Sequence, residues 1–206
     1  MEVLSIIEEA GWTIWVLIAS SVVSLAIILE RFYSLRASAT TPRDLEDTFH
    51  KAIDNNQPET LQQYKNSCIG RVMLVLVNHT SHDKKDLEDV AESAERAELA
   101  YLERFLTTLG SIAAMAPLMG LLGTVIGMIE IFASQNASGT DPHVLARGIS
   151  VALYNTAMGL VVAIPSMMFY RHFRAKVEAM LMDIEVSANH TIHVLAKSTA
   201  EHKSED

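Results

Sequence analysis

Residues 105–129 form a run without a single Asp, Glu, Lys or Arg. At about 1.5 Å of rise per residue, a helix of this length crosses a hydrocarbon core of roughly 30 Å, and a helix satisfies all its backbone groups within itself. The middle of the run is unusual for a helix surrounded by lipid alone. It reads Pro117-Leu118-Met119-Gly120-Leu121-Leu122-Gly123-Thr124-Val125-Ile126-Gly127. Gly120, Gly123, Thr124 and Gly127 recur at intervals of three and four, so one face carries small residues and one hydroxyl. Such a face lets a second backbone come close and directs Thr124 toward protein rather than lipid. Plain helix packing is enough to explain the glycines; Thr124 is informative only in the context of the rest of the chain.

Two further charge-free runs, residues 12–29 and 148–170, are also long enough to span a bilayer. Half of the 206 residues are hydrophobic and the mean hydropathy is +0.21, which fits a membrane protein better than a soluble one. The formal charge of -9 leaves no basic surface to neutralise phosphates and argues against a nucleic-acid partner. The single cysteine, Cys68, excludes an internal disulfide framework. The first run is not expected to be a cleaved signal, because it follows Glu2, Glu8 and Glu9 rather than a positive segment and continues into Glu30-Arg31-Phe32-Tyr33.

Orientation follows from the basic residues. With the N-terminus outside, only Arg147 of the 16 Lys and Arg residues lies outside, and the opposite arrangement would put fifteen there. The expected fold class is therefore an all-α integral membrane protein, with three transmembrane helices whose long extensions form a cytoplasmic helical bundle. The expected segments are an outer amphipathic N-terminus at 1–11, spans at 12–30, 105–132 and 148–170, an outer loop at 133–147, and cytoplasmic segments at 31–104 and 171–206. Trp12 and Trp15 stand where interfacial indoles are expected.

Within the first cytoplasmic segment, Thr41-Pro42-Arg43-Asp44 is a helix start, with a helix expected to about residue 54. Asn55-Asn56-Gln57-Pro58 breaks it, and residues 59–65 and 71–79 read as short helices around Ser67-Cys68-Ile69-Gly70. From residue 83 no Gly or Pro interrupts the pattern before Gly110. Leu87, Val90, Ala94, Ala97, Tyr101 and Phe105 keep an apolar stripe and Glu92 and Arg96 form an i,i+4 pair, so one continuous helix over 83–133 is expected. After the anchor of Arg171, Arg174 and Lys176, the stripe Val177, Leu181, Ile184, Ala188, Ile192 and Leu195 carries the third helix into the bundle. Residues 198–206 read as disordered.

The third span contains Gly148-Ile149-Ser150-Val151-Ala152-Leu153-Tyr154-Asn155-Thr156-Ala157-Met158-Gly159-Leu160. Ala152, Thr156, Gly159 and Ala163 share a face that again carries one hydroxyl. Counting about 1.5 Å per residue inward from Glu130 and from Arg147 puts Thr124 and Thr156 at similar heights in the outer half of the bilayer. Hydroxyls in hydrocarbon find partners across helices or bond back to their own backbone, and where they gather they can line an ion path. Ser150, Tyr154 and Asn155 are the neighbouring candidates, although packing explains Tyr154 and Asn155 equally well. Gly120, Gly123, Gly127, Gly159 and Ala163 are the helix-packing candidates, and the small faces are expected to meet between copies of the chain.

These two spans resemble the signature spans of the ExbB/TolQ/MotA family, over residues 120–129 and 146–165. Ile28-Leu29-Glu30-Arg31 is similar to the end of that family's first span. The three-span layout with an outer N-terminus resembles ExbB and TolQ more than the four-span MotA branch. The resemblance implies a subunit of an ion-driven motor in the bacterial inner membrane. Such a subunit would form a homo-oligomer, five copies by analogy, around a single-span ExbD/TolR-like partner that supplies a transmembrane Asp, and would act on a TonB-like protein. By that analogy Thr124 and Thr156 are pore-facing threonines, and a hydroxyl suits the role because it both donates and accepts.

One departure stands out. ExbB and TolQ commonly have Glu five positions before the second threonine, where this chain has Val151. The implied activity is coupling of a proton or sodium motive force to outer-membrane transport. The alternatives are a TolQ-like envelope-constriction or flagellar-stator-type motor, or a non-conducting scaffold for a TonB-like partner, which Val151 motivates. No catalytic triad, phosphate-binding loop or dinucleotide motif is present in the sequence, so neither an enzyme nor a cofactor is expected. The pairs His79/His82 and His190/His193 have metal-pair spacing without a third ligand, and a solvated helix face is the better reading.

Overall fold

The computed structural model describes residues 11–38, 48–49, 62–79, 83–133 and 142–205. Among them the chain is helical, with no strand. Among the described residues these helices follow in order: α1, Trp12–Ser38; α2, Cys68–Val77; α3, Lys84–Leu102; α4, Leu106–Ala133; and α5, Pro142–Glu205. Segments of α1, α4 and α5 are long and apolar enough to cross a membrane, at Trp12–Arg36, Leu106–Ala133 and Leu145–Lys197. The expected outer helix at 1–9 and the helix start at Thr41-Pro42 fall outside the described residues, as does the break at Asn55-Asn56-Gln57-Pro58.

The chain divides into two compact units, Met1–Glu30 with Phe105–His172, and Arg31–Arg104 with Phe173–Asp206. In the first unit, α1, α4 and α5 share a core of Leu17, Ala116, Val162 and Ala163, with Ile112, Met119 and Met158 packed against it. Ser24 and Ser166 form a buried pair at 2.6 Å, while the Ser166 hydroxyl also donates to the Val162 carbonyl at 2.7 Å. Each hydroxyl has one proton, so Ser24 donates to Ser166 and the pair closes without an unsatisfied donor. Large apolar side chains such as Val22, Leu25, Leu118, Val161 and Ile164 point outward and are more than half exposed. On a water-soluble surface this would be a large apolar patch; on membrane-spanning helices, lipid or protein covers it.

The second unit holds α2, α3 and the last part of α5. Leu87, Ala91 and Leu102 of α3 are buried, as are Val72, Met73 and Leu76 of α2, against which α3 lies, and Val177, Ile184, Ala188, Ile192 and Leu195 of α5. The α5 stripe matches the sequence pattern except that Leu181 is half-buried and Met180 takes its place in the core. Of the expected stripe on α3, Leu87 is buried and Val90 and Ala94 are half-buried, while Ala97 and Tyr101, and Phe105 beyond the helix end, are exposed and Ala91 and Leu102 are buried instead. Arg71 of α2 grips Glu98 of α3 with two bonds, Nε to Oε1 at 2.6 Å and Nη2 to Oε2 at 2.5 Å. Its guanidinium also lies 5.4 Å from the centre of the Tyr101 ring. The bond to Glu98 holds the Arg71 pKa above its ordinary value against the opposing effect of burial. Glu92 and Arg96 form the expected pair on the exposed face of α3.

Two expectations are corrected. The single helix over 83–133 is interrupted at residues 103–105, where Phe105 adopts φ +62°. Ending α3 at Leu102 deprives the Leu102 carbonyl of its partner four residues on, while Tyr101 O accepts a tighter-turn bond from Arg104 N–H at 3.4 Å. Arg31, only 1% exposed, supplies the replacement: its Nη1 donates to Leu102 O at 3.1 Å and to Tyr101 O at 3.3 Å. A cation at a helix C-terminus is also favoured by the macrodipole. The second correction is the C-terminal segment, which remains helical to Glu205 rather than disordered. Ala200, Glu201 and Lys203 are good helix formers, and the segment extends a helix that is already nucleated.

Candidate functional site

The two signature spans lie against each other as an antiparallel pair, α4 against α5. Three approaches fix the register. A Cβ on Gly120 would lie 2.7 Å from Asn155 O and 3.2 Å from Gly159 Cα; one on Gly127 would lie 3.4 Å from Ala152 Cβ; and one on Gly148 would lie 2.6 Å from Ile131 Cδ1. Gly159 reciprocates, its Cβ position lying 2.6 Å from Ala116 O and 3.1 Å from Gly120 Cα. The helices can approach this closely only because those positions have no side chain.

Asn155 is set into this seam. It is 2% exposed, and a Cβ on Gly123 would lie 2.8 Å from its Cβ and 2.9 Å from its Nδ2. Gly123 is therefore the notch that admits the amide. In this register Thr124 stands opposite Asn155 and one residue from the level of Thr156. Both threonines are half-buried. The Thr124 hydroxyl donates to Leu121 O at 2.6 Å, and Ser150 donates to Ala146 O at 2.9 Å. Both therefore satisfy themselves on their own helix. Ser150 is exposed and Tyr154 is 48% exposed, so neither is part of the enclosed seam. Ala163 is buried in the core shared with α1.

This geometry corrects the expectation that the small faces meet between copies. Gly120, Gly123, Gly127 and Gly159 are used within one chain. Sequence periodicity identifies a close-packing face without naming its partner, and here the partner is the next span of the same chain.

Beside the seam is a cleft of about 250 Å³, lined by Gly11, Trp12 and Thr13 from the start of α1, by Ile126, Gly127, Glu130 and Ile131 from α4, and by Gly148, Val151, Ala152 and Asn155 from α5. Of the candidate ion-pathway residues, Asn155 alone lines it; Thr124 and Thr156 do not. Glu130 and Thr13 are polar residues that sequence reasoning passed over. Glu130 served only to mark the end of a span, and Thr13 is a single hydroxyl in an apolar helix. The available signal was an acidic residue in the last turn of α4, where the helix dipole disfavours it.

Residues 38–186 match the MotA/TolQ/ExbB proton channel family. Among individual relatives, the chain is 49% identical over 47 residues to biopolymer transport protein exbB1 of Vibrio cholerae serotype O1, covering 22% of this chain and 21% of that protein. It is 43% identical over 56 residues to biopolymer transport protein ExbB of Helicobacter pylori strain J99, covering 27% of this chain and 39% of that protein. The matched stretches thus span less than half the length of either relative. With the family match extending over most of its length and three helices able to cross a membrane, the chain belongs to the MotA/TolQ/ExbB proton channel family.

Proposed function

We propose that the chain is an inner-membrane motor subunit that couples a proton or sodium motive force to a TonB-like partner and so energises outer-membrane transport. The observation that supports this reading is the α4–α5 seam, where Thr124, Asn155 and Thr156 come to similar levels within the charge-free stretches 105–129 and 148–170. A path with hydroxyls and an amide but no charge of its own can pass an ion beside a mobile carboxylate without trapping it. The carboxylate would come from the transmembrane Asp of a single-span ExbD/TolR-like protein, enclosed by a ring of this chain, five copies by family analogy. The N-terminus would be periplasmic, with residues 31–104 and 171–206 in the cytoplasm.

The test is Thr124→Val combined with Thr156→Val, which keeps shape and removes both hydroxyls. Losing one hydrogen bond to a charged group costs about 1.5 to 3 kcal/mol, a factor of about 10 to 150 if felt in the rate-limiting step. Motor-dependent uptake should fall by at least the lower factor while protein level and oligomeric mass are unchanged. Full uptake in the double variant would leave the non-conducting scaffold, which Val151 motivates, as the better account. A defect in envelope constriction or motility instead of uptake would assign the subunit to a TolQ-like or stator-type motor.

A further inference from the structure

The α4–α5 seam is built mostly from residues that could slide past one another. Buried positions on α4 run Ala113, Ala116, Gly120 and Gly123, and on α5 they run Ala152, Asn155 and Gly159, both at alternating intervals of three and four. Small faces of this kind pack closely but leave the register open, because a slip of one turn, about 5.4 Å, again sets small residues against small ones. Asn155 is the exception. Of the three positions on α5 it alone carries more than a methyl group, and its side chain enters the notch at Gly123, where a Cβ would lie 2.9 Å from Asn155 Cγ. Packing does not account for an amide there. Ala152 and Gly159, one turn to either side, fill the same seam without taking a polar group out of water.

The notch also decides which way the two hydroxyls face. Thr124 follows Gly123 and Thr156 follows Asn155, so each threonine stands about 100° round its helix from this contact. The helices have the same hand and run in opposite directions, and the two rotations therefore lead to the same side of the pair. Both threonines are half-buried. Their levels differ by about one residue of rise, and a one-turn slip would part them by roughly 4 to 7 Å.

We propose that Asn155 is a positioning residue: seated in the Gly123 notch, it fixes the register of α4 against α5 and so holds the Thr124 and Thr156 hydroxyls side by side on one face of the pair. A single polar side chain in an otherwise interchangeable seam sets register in the same way in coiled coils, at some cost in stability. The inference rests on the reading of the two threonines as ion-path residues.

The experiment compares the unaltered protein with Asn155→Ala and with the exchanged pair Gly123→Asn plus Asn155→Gly, each purified with its single-span partner and each expressed in cells that depend on the motor. Disulfide trapping reports the register. Gly127→Cys with Ala152→Cys marks the native one, since a Cβ on Gly127 lies 3.4 Å from Ala152 Cβ, close to the separation a disulfide needs. Gly127→Cys with Gly148→Cys, and Ile131→Cys with Ala152→Cys, mark slips of one turn in either direction. Asn155→Ala should lower uptake at least tenfold at unchanged oligomeric mass and move trapping from the native pair to a slipped one. The exchanged pair, which moves the amide to α4 and the notch to α5, should recover both. Low uptake in Asn155→Ala with trapping confined to the native pair would mean that the amide acts on the ion itself, and would overturn the proposal. Slipped trapping at full uptake, or no change in either, would overturn it equally. The motor reading is judged separately: full uptake in Thr124→Val plus Thr156→Val removes that reading, while the register of the seam is decided by the trapping alone.

Discussion

Arg31 shows how a side chain can cap the end of a helix that lies seventy residues away. Its guanidinium donates to the carbonyls of Tyr101 and Leu102, at the point where the interruption at 103–105 ends α3. Arg31→Met keeps the apolar stem and removes the donors; Tyr101 O keeps the Arg104 N–H, but Leu102 O loses its Arg31 partner at a cost of roughly 1 to 3 kcal/mol. We predict a lower thermal unfolding midpoint in detergent and faster tryptic cleavage after Arg104; an unchanged midpoint and cleavage rate would show that the cap contributes nothing. Glu95 gives a second test in the same unit. Burial, then the nearby charges of Glu185 and Glu92, raises its pKa above the ordinary carboxylate value of about 4.3. A carboxyl raised on folding contributes stability below its unfolded pKa and loses it as pH rises through the folded value. Glu95→Gln should therefore stabilise the protein at neutral pH, and the advantage should vanish below about pH 4. An advantage that persists in acid would contradict the assignment.

At the scale of elements, what the sequence makes legible depends on whether the deciding interaction is local. The three spans are visible from apolar length alone, because lipid demands it wherever the neighbours are. The paired glycine faces of α4 and α5 are visible from spacing, and the C-terminal stripe of α5 from periodicity. The interruption after α3 is not visible, since Leu102-Glu103-Arg104-Phe105 contains no breaker and the Arg31 side chain that bonds to its carbonyls is distant in sequence. The cleft is hidden for the same reason: Thr13, Glu130 and Asn155 come from three helices, and only the register brings them together. The seam can be tested as an element. Gly123→Leu drives carbon atoms into the Asn155 side chain, where even a Cβ lies within 2.9 Å. Overpacking costs about 1 to 3 kcal/mol, so the thermal midpoint should drop, and Gly123→Ala should show a smaller loss in the same direction. A midpoint unaffected by Leu at this position would mean that the helices do not meet there.

At the scale of the whole molecule, the internal use of the glycine faces changes what can hold copies together. If Gly120, Gly123, Gly127 and Gly159 are consumed within the chain, a ring must be built from the outward apolar surfaces of the spans, where Leu118, Leu121, Leu122 and Val125 of α4 and Leu153, Leu160 and Val161 of α5 are exposed. These side chains are large and branched. They pack against a neighbour by dispersion and shape rather than by close backbone approach. Two variants separate the possibilities by native mass spectrometry in mild detergent. Gly123→Leu, which strains the internal seam, should weaken each subunit while any oligomers that survive keep the mass of the unaltered protein. Leu121→Ala with Val125→Ala, which trims the outward face of α4 but leaves the seam intact, should shift the distribution toward smaller assemblies, since each truncated contact loses about 1 to 3 kcal/mol of packing in every subunit. If Gly123→Leu instead yields folded monomers of undiminished thermal stability while the alanine pair leaves the oligomer whole, the glycine face is the contact between copies and the intramolecular seam is not the native one.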